Sequence, residues 1–209
     1  MDNELRLTYL TALGIDIWVP RVSLSIESYV EDNWGKLSSD ISQCTQCYLC
    51  DSRTHSIIGT GSHQAEWLWI TEAPSSIEDQ NGQPMLGAEG DLFTEMLRAI
   101  NLTREDIFVT HIIKCMTPKH RTPQATELLS CQSYIERQIK LLQPKIIIAL
   151  GQIAAHALID QPMLNNTPVV VINHPAYLLK FLSEKNLAWR DLQYAFKLYT
   201  ELKDKKCGD

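Results

Sequence analysis

The chain has 209 residues, of which 44% are hydrophobic, so it can bury a real core and is not a disordered chain. Its net charge of −6 offers no general attraction for nucleic acid, so any DNA binding must come from a local basic patch. The acidic start MDNELR is not a secretory signal, and the longest apolar run, 146–150, is too short to cross a bilayer. We therefore expect a cytoplasmic protein that does not enter membranes.

The N-terminal part is predicted to be separate from the main domain. Residues 3–13 have the apolar spacing of a short amphipathic helix, and Gly14 suits its end. Trp18, flanked by Ile17 and Arg21, has the composition of a partner-binding hot spot, although it could instead pack into a groove of the domain. We interpret 1–22 as a partner-binding helix and peptide, 23–43 as a polar linker, 44–203 as the domain and 204–209 as a tail.

The main domain alternates strands with helices. We predict strands at 66–71, 107–113, 145–150 and 169–172, and helices at 91–100, 123–142, 151–159 and 187–203, with Thr122 as the cap of the second helix. This order predicts a three-layer α/β/α domain with a parallel sheet of four strands. Glu72 follows the first strand, where open α/β sheets place their active sites.

Six cysteines in a chain of this class point to metal rather than disulfides. Cys44 and Cys47 have the two-residue spacing that lets two thiolates face one metal, and Cys50 is a candidate third ligand. Cys115 follows a strand and Cys131 lies in the next helix. Four thiolates suit either a [4Fe–4S] cluster or a structural zinc, and four unrelated buried cysteines remain an alternative. Cys207 is expected to be a free surface thiol.

Ordered motifs along 44–192 resemble the iron–sulfur uracil-DNA glycosylases of the family 4 type. They are Cys44-x2-Cys47 with Arg53, Thr71-Glu-Ala-Pro74, Glu78-Asp79-x2-Gly82-x-Pro84, Lys114-Cys115 with Pro118 and Arg121, Cys131, Pro144-Lys145, Ala149-Leu150-Gly151, His174-Pro-Ala-Tyr-Leu-Leu179 and Trp189-x-Asp-Leu192. The resemblance implies a glycosylase-like fold and a [4Fe–4S] cluster. It implies ligation by Cys44, Cys47, Cys115 and Cys131, with Cys50 only a neighbour.

The same resemblance implies a catalytic pair and a changed base pocket. Glu72 takes the position of the family's carboxylate, and His174 takes that of the histidine that stabilises the departing uracil anion. The family's stacking Phe is replaced by Met85 and its base-reading Asn by His111, which lacks the paired donor and acceptor of an amide. Two loop glycines are replaced by Thr71 and Ser75. These changes predict the loss of ordinary uracil excision.

A second resemblance concerns the N-terminal segment. Residues 13–21 are similar to the start of the DNA polymerase III psi subunit, and the positions implied to bind a partner are Leu13, Ile15, Trp18 and Arg21. The first hypothesis is therefore a psi-type accessory subunit of the replication clamp loader, with clamp-loader subunits and a chi-like subunit as partners. The alternative is an active DNA glycosylase acting on uracil or another damaged base. Under either hypothesis, the candidate DNA contacts are Lys114, Lys119, Arg121 and Lys180.

Overall fold

The structure is a computed structural model that describes residues 32–159, 164 and 166–205. The psi-like segment with Leu13, Ile15, Trp18 and Arg21 lies outside the described residues, and so does Cys207. In the part described, no helix is both long enough and apolar enough to span a membrane.

A five-stranded sheet forms the centre of the domain. Its strands are β1 Thr60–Gly61, β2 Trp67–Thr71, β3 Ile107–His111, β4 Ile146–Leu150 and β5 Val169–Ile172. They lie in the order β1-β3-β2-β4-β5, and β2 to β5 are parallel. The four predicted parallel strands are thus confirmed. The sequence did not reveal β1, a two-residue strand that pairs antiparallel with β3.

Helices cover both faces of this sheet. Those described are α1 Trp34–Ser42, α2 Ser76–Asn81, α3 Gly87–Ala99, α4 Ala125–Leu142, α5 Gln152–Leu158, α6 Pro175–Lys180 and α7 Lys185–Lys205. Alternate residues of the strands enter two separate cores: Trp69 and Ile148 lie in one, and Leu68 and Ile147 lie in the other. Because both faces are buried, β4 is apolar throughout and β2 is apolar except for Thr71. The predicted three-layer α/β class is confirmed.

Helices α3 and α4 begin at residues other than those predicted, and α1 lies where no helix was assigned. Helix α3 begins at Gly87, four residues before the predicted start at residue 91. Helix α4 begins at Ala125 rather than beside Thr122, because Gln124 and Glu127 form its capping box. Helix α1 occupies part of the predicted polar linker. Its buried Leu37 and Ile41 pack in one cluster with Tyr134 of α4, which explains why this polar stretch is helical.

Candidate active site

A cleft lies at the carboxyl ends of the parallel strands, where the sheet topology predicts a site. Its volume is about 610 Å³, and its lining includes Glu72, Ser75, His120, Arg121, His174 and Lys180. Glu72 directly follows β2, and His174 follows β5 and precedes α6. The structure therefore brings both predicted catalytic residues to the same cleft, although they are 102 positions apart in the sequence.

The position of Glu72 depends on the loop after β4. The main-chain nitrogen of Ile153 donates to Glu72 Oε1 over 3.4 Å. Gly151, with φ of +90°, passes so close that an added Cβ would lie 2.3 Å from the same oxygen. Burial raises the pKa of Glu72, and the bond from Ile153 opposes that shift. A partly desolvated carboxylate with one long hydrogen bond is available to act on a substrate.

His174 is held in one tautomer. Its Nδ1 accepts a hydrogen bond from the Ala176 main-chain nitrogen at 3.1 Å, so Nδ1 carries no proton. Burial, followed by the charge on His111, lowers the pKa of His174 to about 4. The single ring proton is therefore on Nε2, which donates to Thr71 Oγ1 at 2.7 Å. A neutral imidazole that presents an N–H is suited to binding a developing oxyanion.

The four predicted base-pocket residues do not share one surface. Ser75 lines the cleft, whereas Thr71, Met85 and His111 are each at most 2% exposed. Thr71 and His111 end neighbouring parallel strands and are register partners. Glu78 of α2, to which the sequence assigned no role, contacts three of these four residues.

Glu78 is a buried carboxylate with four hydrogen-bonding neighbours. Its Oε2 accepts from the main-chain nitrogen of Ser75 at 2.7 Å and from Ser75 Oγ at 2.8 Å, and it lies 3.4 Å from His111 Nε2. Its Oε1 accepts from the main-chain nitrogen of Met85. Burial alone would raise the pKa of Glu78, but His111 and Ser75 outweigh that effect and lower the pKa to about 2. Glu78 is therefore ionised at neutral pH.

The main chain of Met85 is held through both its nitrogen and its carbonyl oxygen. Its φ of +56° is unusual for a residue with a side chain. Besides the bond from its nitrogen to Glu78, its carbonyl accepts from Arg104 Nη2 at 2.9 Å. Gly90 approaches this carbonyl closely, and a Cβ there would lie 2.0 Å from the Met85 oxygen. The loop that carries the family's stacking position is thus rigidly held in this chain.

The structure corrects one candidate DNA contact. Lys114 is only 1% exposed, and its Nζ donates to Thr110 Oγ1, to the His111 carbonyl and to Gln138 Oε1, each at 2.7 Å. Burial lowers its pKa to about 7. These three hydrogen bonds hold Lys114 inside the domain at the end of β3, where it cannot reach a phosphate. The prediction for Lys114 was therefore wrong.

The other basic candidates lie at or near the cleft. Arg121 and Lys180 line it, and Lys119 is exposed in the neighbouring turn. Arg121 Nη1 donates to Glu127 Oε2 at 2.9 Å, and Nη2 also bonds to the Tyr48 hydroxyl, which in turn donates to Glu127. Tyr48 follows Cys47, and Glu127 lies in the helix that carries Cys131. We call the hydrogen bonds among Tyr48, Glu127 and Arg121 the brace, because they join the cysteine-bearing segments to the rim of the cleft.

The four predicted ligand cysteines converge beside this brace. Cys115 and Cys131 are buried, and Cys44 and Cys47 are partly exposed. Burial is the main cause that raises the pKa of Cys131, to about 11, and Cys115 and Cys47 add to it. The pKa of Cys115 is raised by burial and by Cys47 and Cys44, against the lowering effect of Arg53. Cys50 instead contacts Asp51 at 3.4 Å.

The donor set suits a group that binds several thiolates. Arg53 Nη1 lies 3.2 Å from Cys115 Sγ, and Nη2 donates to the carbonyls of Ser42 and Cys44, so one guanidinium joins both cysteine segments. Among the described residues, no three His, Cys, Asp or Glu side chains are spaced to hold one metal ion. Four cysteine side chains in this region suit either a [4Fe–4S] cluster or a zinc ion.

Comparisons with known proteins agree with this geometry. The family model described as "Uracil DNA glycosylase superfamily" matches residues 58–193. A type-4 uracil-DNA glycosylase of Sulfurisphaera tokodaii is 31% identical over 80% of this chain and 77% of the relative. Proteins of the same name from Archaeoglobus fulgidus and Thermotoga maritima are 40% and 31% identical, over 56% and 69% of this chain and 58% and 82% of those relatives.

These matches overturn the first functional hypothesis. A psi-type accessory subunit built on a degenerate pocket was expected, yet the relatives that align along the domain are named glycosylases. Glu72 and His174 share one cleft, although the positions of Met85 and His111 are changed. The hypothesis of an accessory subunit was therefore wrong, and the comparisons do not show the psi-like likeness.

The order of the strands, the predicted catalytic pair at their carboxyl ends and the matches along 58–193 all lead to one assignment. The chain belongs to the uracil-DNA glycosylase superfamily.

Proposed function

We propose that this protein is a DNA glycosylase that hydrolyses the N-glycosidic bond of uracil or another damaged base in base-excision repair. The observation that carries the proposal is the shared cleft of Glu72 and His174. Glycosylases act on a base turned out of the helix, and a cleft of about 610 Å³ has room for one nucleotide. The names of the relatives support the same reaction class.

The roles of the two residues follow from their protonation. Breaking the glycosidic bond leaves negative charge on the base and positive charge on the sugar. The Nε2–H of His174 stabilises the base anion through a hydrogen bond, without a proton having to be transferred. To do so it must exchange its bond with Thr71 Oγ1 for one with the base. The Glu72 carboxylate stabilises the cationic sugar or orients the attacking water.

The cysteine quartet is proposed to hold a [4Fe–4S] cluster in a structural role. Cys44 and Cys47 belong to the segment before β1, and Cys115 and Cys131 belong to the segment after β3, so a shared group fastens one segment to the other. Arg53 would offset part of the negative charge of the thiolates. The Tyr48, Glu127 and Arg121 brace would extend this rigidity to the cleft.

DNA is the proposed partner, and its phosphates are proposed to contact Lys119, Arg121 and Lys180 around the cleft. These three basic residues would supply local positive charge where the DNA strand passes the cleft, although the net charge of the chain is −6.

The test uses oligonucleotides that carry a single uracil, hypoxanthine or xanthine, incubated with the full-length protein and then cleaved with alkali at abasic sites. We expect strand cleavage for at least one base and its loss in Glu72→Gln. Failure of every base in the panel, with the metal group bound, would contradict the proposal.

A further inference from the structure

Two charged side chains in the cleft have no part in breaking the glycosidic bond. Glu89, in the first turn of α3, and Lys180, the last residue of α6, line the cleft together with Glu72 and His174. His174 acts on the departing base, and Glu72 acts on the sugar cation or its water. Once the base has left, the sugar that carried it is still part of the strand and lies among the same side chains.

Lys180 offers a primary amine that can move within the cleft. It is the one lysine of the described residues that lines the cleft, and it is exposed. In that part of the chain no hydrogen bond or ion pair holds its Nζ. Lys114, by contrast, is held inside the domain by three hydrogen bonds. The Lys180 amine can therefore turn from a phosphate of the strand to the sugar of the bound nucleotide.

Glu89 is a partly buried carboxylate that interacts with Lys180. Burial, followed by the negative charge of Glu78, raises the pKa of Glu89, whereas the positive charges of Lys180 and His120 lower it. These interactions mean that the carboxylate lies within electrostatic reach of the amine. Because burial disfavours its charged form, Glu89 is a stronger base than an exposed glutamate would be.

The product of base excision is an electrophile that an amine can attack. Removal of the base leaves a hydroxyl group on C1′, and this cyclic form of the sugar opens to an aldehyde. Lysine amines attack carbonyl carbons of this kind and form imines. The guanidinium of Arg121, which also lines the cleft, keeps its proton and cannot do so. Lys180 is thus the side chain suited to bond to the abasic sugar.

We propose that the protein has a second activity, that of an abasic-site lyase, in which Lys180 bonds to C1′ of the abasic sugar and Glu89 removes a proton from C2′, so that the strand breaks at the 3′ phosphate. The inference rests on the proposed function for the source of its substrate, an abasic nucleotide within a DNA strand. It gives a role to both charged side chains that the glycosidic step leaves unused.

The atoms of this reaction balance without an oxidant or a reductant. When Lys180 Nζ bonds to C1′, two ammonium hydrogens leave with the aldehyde oxygen as water and the third stays on the nitrogen, which gives a positively charged imine. That charge makes the C2′ proton acidic, and Glu89 accepts it. The electron pair of the C2′–H bond forms a C2′=C3′ double bond, and the C3′–O bond breaks with its pair on the phosphate. Water then hydrolyses the imine and restores the ammonium group, while Glu89 passes its proton to solvent.

The experiment gives the full-length protein an oligonucleotide with a preformed abasic site. Sodium cyanoborohydride, which reduces an imine to a stable amine, is added to one half of the sample. There we expect a covalent protein–DNA adduct, and peptide mass spectrometry should locate it on Lys180. In the half without reductant, the strand should break at the abasic site before any alkali is added.

Three variants separate the roles of the two side chains. Lys180→Arg keeps the positive charge but not the amine, so the adduct should be lost when its yield is normalised to the fraction of DNA bound, measured by anisotropy. Glu89→Gln should still form the adduct, but strand cleavage should be about a hundredfold slower. Lys185→Arg is the matched control, because Lys185 is exposed and outside the lining of the cleft, and it should behave as the wild type.

Several results would overturn the inference. They are the absence of an adduct with the wild type, an adduct only on the N-terminal amine or on another lysine, and an undiminished adduct in Lys180→Arg. Strand cleavage as fast in Glu89→Gln as in the wild type would refute the role of Glu89. Because the abasic site is supplied ready-made, none of these results depends on base excision. A protein that forms the adduct but releases no base from the damaged-base panel would contradict the proposed function alone.

Discussion

Gly151→Ala offers a severe test of the position of Glu72. Gly151 has φ of +90° and ψ of +166°, a region that is essentially restricted to glycine. Its absent Cβ would lie 2.3 Å from Glu72 Oε1, whereas ordinary contact begins near 3.4 Å. The carboxylate would have to retreat by about 1 Å, the difference between these two values.

The substitution should have two separate effects, one on stability and one on the excision rate. The forced backbone should cost about 1–3 kcal/mol of stability. A displacement of about 1 Å in a catalytic group should lower the excision rate roughly a hundredfold. Gly82→Ala is the matched control, because Gly82 also has positive φ (+70°) but the nearest atom to an added Cβ is 3.7 Å away, in His55. It should lose stability by about 1–2 kcal/mol and retain the rate.

The assay combines thermal unfolding with single-turnover excision for the wild type and both variants. If Gly151→Ala keeps the wild-type rate, or if Gly82→Ala loses as much activity as Gly151→Ala, the geometry assigned to Glu72 is wrong.

Three further predictions concern other parts of the site. Glu72→Gln should raise the unfolding midpoint at pH 8, because the raised pKa means that ionisation costs folding energy; the gain should disappear below about pH 4, where the unfolded glutamate is also protonated. Tyr48→Phe should weaken DNA binding severalfold without loss of metal, measured by anisotropy, because it loosens Arg121. Arg53→Ala should lower the iron content and the absorbance near 400 nm, because it frees Cys115.

Each of these has a clear contrary outcome. A midpoint that falls in Glu72→Gln at pH 8 would contradict the unfavourable burial of its charge. Unchanged binding in Tyr48→Phe would mean that Arg121 does not meet DNA. A colourless wild-type protein with stoichiometric zinc would refute the proposed cluster whatever Arg53→Ala does.

The sequence predicted the sheet well because its signals are local. The run around Ile148 is apolar at every position and the run around Trp69 is apolar except for Thr71, a pattern typical of buried parallel strands. Helix α1 was missed because its polar stretch has only two fully buried side chains, Leu37 and Ile41, and they face α4 from far along the chain. The two residues of β1 are too few to give any pattern.

The site was predictable where a motif fixed the residue and not where packing decided its role. Glu72 and His174 were assigned from the family resemblance, and each follows a strand, so that both reach the same cleft. Lys114 was misassigned because its burial depends on Thr110 and Gln138, which no spacing rule connects to it. The hydrogen-bond network of Glu78 could not be predicted for the same reason, since Glu78 lies on α2 and its partner His111 lies at the end of β3, far along the chain.

The central claim is that Glu72 and His174 form a working glycosylase site. The most direct measurement is single-turnover release of the free base from single-stranded oligonucleotides that carry uracil, hypoxanthine or xanthine, by the metal-loaded full-length protein and its Glu72→Gln variant. The account predicts release by the wild type and a rate about a hundredfold or more lower in the variant. No release by the wild type, or equal rates for the two proteins, would contradict it.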